Sequence, residues 1–103
     1  MVEKSRIQLK FMPWIARKLG YGDSRWVVLE EEWKDGLTVR ELLELLTEKY
    51  PKFGKAAYDA EGGKLTGQIT ITLNALFLEL RGGLDTVLEP GDELVFLASF
   101  AGG

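Results

Sequence analysis

The 103-residue sequence predicts an α+β fold, a mixed sheet of four to five strands with one main helix packed on one face. Three observations carry that expectation. Apolar and polar residues alternate strictly in "RIQLKFM" and again in "QITITLN", the period-two signature of half-buried strands. A single stretch, "LTVRELLELLTEKYP", keeps helical spacing instead. A last apolar run follows the turn Glu89-Pro90-Gly91-Asp92.

The first strand places Ile7, Leu9 and Phe11 on one face and Gln8 and Lys10 on the other. Pro13, which has no amide hydrogen to give a ladder, stops regular pairing. "WIARKLGYGD" then reads as a loop or short helical turn anchored by Trp14, Ile15 and Leu19. Trp26, Val27, Val28 and Leu29 form a β-prone run and the expected second strand, close enough to the first for a hairpin. Asp35-Gly36 marks a turn.

Thr38, with Glu41 three positions on, opens the main helix as a capping box: the threonine hydroxyl takes a free amide and the glutamate reaches back. Val39, Leu42, Leu43, Leu46 and Tyr50 make one apolar stripe, and Pro51 prevents continuation. Lys55 to Ala60 suits a helical turn, and Gly62-Gly63 a flexible loop. In the next strand Ile69, Ile71 and Leu73 face inward, Thr70 and Thr72 outward. Asn74-Ala75 stands where a hairpin turn belongs, although only Asn is at ease in a left-handed backbone, and "LFLEL" follows. The final strand, from about Glu93 to Leu97, would lie centrally if it paired parallel with the first, both being apolar.

Composition excludes several function classes. The formal charge of −3 lacks the basic excess of a nucleic-acid binder. Without cysteine or histidine there is no disulfide, no His/Cys zinc site and no thiol or Ser-His-Asp nucleophile. The start of the chain has no signal-peptide run and no stretch is long enough to span a membrane, so a cytoplasmic location is expected. Charge is uneven. Before Trp26 stand Lys4, Arg6, Lys10, Arg17, Lys18 and Arg25 against Glu3 and Asp23, and the remainder is acidic. This is a solvated surface or a partner-facing patch at one end. Glu30, Glu31, Glu32 and Asp35 read as solvated surface, since consecutive strand residues point to opposite faces and no cation loop surrounds them. Asp92-Glu93 reads as turn chemistry. Trp14, Trp26 and Trp33 read as core or rim residues, with Trp14 the candidate for a partner surface.

Of three Gly-Gly pairs, Gly62-Gly63 and Gly82-Gly83 lie in loops without the strand–loop–helix setting of a phosphate cradle. Gly102-Gly103 is different because it carries the α-carboxylate. With a pKa of about 3.3–3.7 that group is an anion and an oxygen nucleophile at neutral pH. Two residues without Cβ make the tail thin enough for a narrow channel. An ATP-dependent enzyme can bring such a carboxylate to an α-phosphate and form an acyl-adenylate, open to attack by sulfur or by an amine.

The ending "LEPGDELVFLASFAGG" resembles that of the ubiquitin-like sulfur carriers of the MoaD/ThiS family, through Leu88, Gly91, Asp92, the apolar run Leu94 to Leu97, and Gly102-Gly103. "LKFMPWIARKLG" is similar to the family's first strand and following turn, "DGLTVRELLELLTEKYP" to its central helix, and "ITITLNALFL" to a strand ending in Asn and a turn. The length suits the MoaD-like branch. Two features depart from the pattern. Phe100 stands in a tail without the usual Pro-Pro of MoaD, and Ala75 replaces the usual glycine.

The resemblance implies a β-grasp, ubiquitin-like domain over 1–98 and a projecting flexible tail over 99–103. It implies a carrier and co-substrate rather than an enzyme, at most the non-catalytic small subunit of a molybdopterin-synthase-like complex. Gly103 would be adenylated by a ubiquitin-activating-type adenylyltransferase using ATP, and converted to a thiocarboxylate by a sulfur donor. The sulfur would go to molybdopterin- or tungstopterin-type cofactor biosynthesis through a synthase large subunit. Gly102 would give access, while Ala101, Phe100 and Ser99 seat the tail; no cofactor or metal is bound, and neither nucleic acid nor membrane is a partner. The alternative is a protein modifier joined through Gly103 to target lysines, and a third reading is an inert β-grasp interaction module.

Overall fold

The computed structural model describes residues 5–22 and 25–99. A five-stranded mixed sheet forms from β1 (Arg6–Phe11), β2 (Val27–Glu32), β5 (Ile69–Leu73), β6 (Leu76–Phe77) and β7 (Glu93–Ala98), in the order β2-β1-β7-β5-β6. β1 and β2 form the expected antiparallel hairpin, with Leu9 opposite Leu29. β7 lies in the middle, parallel to β1 with Phe11 beside Phe96, and antiparallel to β5. The last strand does pair parallel with the first and does lie centrally, with Leu94 and Phe96 fully buried. With α2 (Val39–Lys49) across one face, this is the β-grasp arrangement.

Alternation decides which face is covered. Ile7, Leu9, Phe11, Ile69, Ile71, Leu73, Leu94 and Phe96 point under α2, whose Val39, Leu42, Leu43 and Leu46 are fully buried against them. At the centre Phe11 stacks on Phe96 with centroids 4.6 Å apart, and Phe53 meets both edge-on at 5.6 Å. Each such pair contributes about 0.5–1.5 kcal/mol beyond its buried area. The capping box forms as read: Thr38 Oγ1 accepts from the Glu41 amide at 3.2 Å, and Glu41 Oε1 accepts from the Thr38 amide at 3.0 Å.

Several expectations need correction. Trp26 stands before β2, half exposed, and the strand runs on through Glu30, Glu31 and Glu32. Glu31 is not solvated surface. It is 8 % exposed, and Lys49 in the last turn of α2 holds it at 3.0 Å. The strand's alternation turns Glu31 inward, while Glu30 and Glu32 stay exposed. Pro51 ends α2 but also opens α3 (Pro51–Ala57) at its first position, where a missing amide costs nothing. The helix thus starts four residues before the expected turn at Lys55. Tyr58 to Ala60 leaves it for β3 (Tyr58–Asp59), which pairs with β4 (Lys64–Leu65) in a separate two-stranded sheet. The strand expected in "LFLEL" stops at Phe77, and Leu78–Arg81 turns as a 3₁₀ helix. α1 (Pro13–Ala16) and a 3₁₀ turn at Arg17–Leu19 fill the expected short helical connection, with Ile15 and Leu19 buried.

Two turns close the sheet at one end. Asn74 and Ala75 both take positive φ, +51° and +73°, the mirror-image turn that two-residue hairpins favour. Gly91, at φ +89°, follows Pro90 in the type II bend expected there, closed by the Asp92 amide on the Glu89 carbonyl at 3.1 Å.

Candidate functional site

The last described residue of the chain is Ser99, directly after β7, and the expected site residues Phe100, Ala101, Gly102 and Gly103 lie outside the described residues. Ser99 is held to the neighbouring strand at two points. Its amide donates to the Gln68 carbonyl at 2.9 Å, and its hydroxyl lies 3.1 Å from Thr70 Oγ1. On the other flank, Met12 joins β1 to the same point: its amide donates to the Phe96 carbonyl at 3.2 Å, and its sulfur accepts the Ala98 amide. The root of the tail is therefore pinned from both sides of a central strand.

Parallel pairing decides what surrounds that root. β1 and β7 run the same way, so the connection that follows β1 emerges beside the end of β7. α1, the 3₁₀ turn, Tyr21, Arg25 and Trp26 thus share the end of the sheet with Ser99. Trp14, the residue expected to mark a partner surface, is half-buried there, with Lys18 Nζ 5.3 Å above its ring.

The face of the sheet away from α2 is continuous with this end. One row crosses all five strands: Val28, Lys10, Val95, Thr72 and Phe77, each opposite the next. Val28 is 51 % and Phe77 55 % exposed, so the row offers apolar side chains to solvent at both ends. Lys10 is paired with Glu93 at 3.1 Å. Beside the row, a groove of about 450 Å³ lined by Ile69, Ile71, Phe77, Leu78, Leu84 and Ser99 follows the edge of β5 that the short β6 leaves uncovered.

The remaining polar clusters serve structure. Asp92 caps its own turn by accepting the Glu89 amide at 2.8 Å and takes the Asn74 side-chain amide at 2.9 Å, while Asn74 Oδ1 accepts the Glu93 amide at 2.9 Å. The two turns are thereby tied together, in line with the reading of Asp92 as turn chemistry. Arg40 on α2 donates to Asp85 at 3.0 Å and also to the Gly63 carbonyl. The hydrogen bond to Arg40 holds the Asp85 carboxyl below its usual range, and the same bond raises the Arg40 guanidinium above its own. Among the described residues no three acidic side chains converge as metal ligands, and no helix is long and apolar enough to cross a membrane.

Comparison with known proteins adds the family context. The family model described as "ThiS family" matches residues 21–103, which includes the Gly102-Gly103 ending. No curated protein matches the chain in sequence. Among solved structures, Urm1 from Trypanosoma brucei is similar at 25% identity over 100% of both chains, with a TM-score of 0.68. The Amycolatopsis orientalis BexX/CysO complex contains a chain 26% identical, covering 94% of this chain and 99% of that one, with a TM-score of 0.65. SAMP1 from Haloferax volcanii has the same fold at 22% identity, covering 95% and 99%, with a TM-score of 0.69.

Proposed function

The chain belongs to the ThiS family, and from that membership we propose that it is a ubiquitin-like sulfur carrier whose working group is the Gly103 carboxylate. The observation that supports this reading most directly is the extent of the family match. It runs through the central strand, past its pinned end at Ser99, to Gly103. In the proposed reaction a carboxylate oxygen of Gly103 attacks the α-phosphorus of ATP on a ubiquitin-activating-type enzyme, and pyrophosphate leaves. A hydrosulfide sulfur then attacks the carbonyl carbon of the acyl-adenylate and AMP leaves, giving a thiocarboxylate and a released proton. The catalytic groups belong to the enzyme. This chain supplies the carboxylate, the slim Gly102 before it, and Ser99, Phe100 and Ala101 as the seat of the tail. The exposed row ending in Phe77 is the surface on which the enzyme, and later a synthase large subunit, would dock. The acceptor in this reading is a pterin of molybdopterin or tungstopterin type.

Removing Gly102-Gly103 tests the reading. The truncated chain is expected to keep its melting temperature, because the hydrogen bonding described ends at Ser99, and to lose all adenylation and sulfur loading in intact-mass analysis. Rescue of cells lacking the native gene by the truncated chain would sink it. Use of the same activated carbonyl by a lysine amine would appear as a Gly-Gly remnant on other proteins. That remnant separates a protein modifier from a sulfur carrier.

A further inference from the structure

The uneven charge of the sequence acquires a location in the fold. Ahead of Trp26 six basic residues stand against two acidic ones; from Trp26 onward seven stand against fourteen. On the sheet, Arg6 lies 3.8 Å from Glu30, and Lys10 pairs with Glu93. Arg17, Lys18 and Arg25 belong to the connection between β1 and β2, at the end of the sheet where the tail leaves. Arg17 and Arg25 are exposed, Lys18 lies over Trp14, and Tyr21 and Trp26 are exposed beside them at 36 % and 51 %. Trp14, Arg17 and Lys18 of this basic and aromatic collar precede the part of the chain that the family model covers, and Tyr21, Arg25 and Trp26 lie within it.

We propose that this collar is an electrostatic docking surface for an acidic rim around the tail channel of the adenylating enzyme, an inference that rests on the sulfur-carrier reading. Charge complementarity identifies the occupant. A basic end on an otherwise acidic protein turns that end, with its tail root, toward a negative surface, and repels the same surface from the remaining faces. The aromatic groups supply contact area once the ends meet, with Trp26 flat against the rim.

The test is ATP–pyrophosphate exchange by the ubiquitin-activating-type enzyme of the same organism, with the full-length chain as substrate. Lys18→Glu and, separately, Arg25→Glu are expected to raise the KM for the carrier about tenfold at low salt while leaving kcat unchanged. The difference should vanish near 1 M salt, where the screening length falls to about 3 Å. Lys34→Glu, the same charge change at the opposite end of the sheet, should leave KM as it was. An unaltered KM in both collar variants, a defect that survives high salt, or an equal defect in Lys34→Glu overturns the proposal. So does single-stranded RNA that competes with the enzyme for the collar. Absence of exchange with the unaltered chain would instead refute the carrier reading itself, and the docking surface with it.

Discussion

Ala75 occupies a backbone conformation that its own side chain opposes. At φ +73° its Cβ crowds the carbonyl, a cost of about 1–2 kcal/mol for a residue with a side chain. Asn74 beside it, at φ +51°, belongs to a residue type that visits this region readily, and its amide side chain ties the turn to Asp92 and Glu93. Ala75→Gly should therefore raise stability by about 0.5–1 kcal/mol, the relief of strain less the added freedom of the unfolded chain. Urea denaturation would read it as a higher midpoint at unchanged slope. The hairpin turn at Asn74-Ala75 was legible in the sequence, but the positive φ at Ala75 was not, because alanine argues against a left-handed backbone. The burial of Glu31 was not legible either. Three consecutive glutamates look alike until the strand's alternation is set against the position of Lys49 on a helix 18 residues away.

At the scale of elements, the parts that escaped sequence reading are the short ones. β3 and β4 have two residues each, too few to show a period, and α3 begins at a proline that reads equally well as the stop of α2. Tertiary contacts fix these pieces instead. Arg40 ties α2 to Asp85, in the 3₁₀ turn Gly83–Asp85, and to Gly63, in the β3–β4 loop. Since Asp85 titrates below its usual 3.8 in the folded chain, its contribution is complete above that value and is lost as pH falls through the lower folded value. Asp85→Asn should accordingly flatten the acid side of the melting-temperature profile and leave its neutral-to-alkaline slope alone. An unchanged acid limb would show that the pair contributes nothing, as many exposed ion pairs do. The long elements, by contrast, were readable because each has enough residues to show its period and its signals agree: the capping box with the apolar stripe for α2, alternation with flanking turns for β1 and β5.

For the molecule as a whole, the working end and the core share one strand. Phe96 is fully buried among Phe11 and Phe53, and three residues later Ser99 begins the tail. Phe96→Ala should cost about 3–5 kcal/mol, a large part of the about 5–15 kcal/mol that holds a domain of this size together. Calorimetry should show the whole fold melting earlier in one transition rather than a local loosening. The site itself was legible only in outline. Gly102-Gly103 stood out by composition and place, whereas the collar required knowing that β1 and β7 run parallel and so bring residues 12–22, Arg25 and Trp26 to the end of the sheet that holds Ser99. A central β7 also has a mechanical consequence. Its ladders to β1 and β5 lie across the direction in which the tail leaves, so a pull on the C-terminus loads both in shear. Those bonds must then yield together rather than unzip one after another. A machine that draws the chain in by its last glycines would meet its greatest resistance at the first strand it tries to extract.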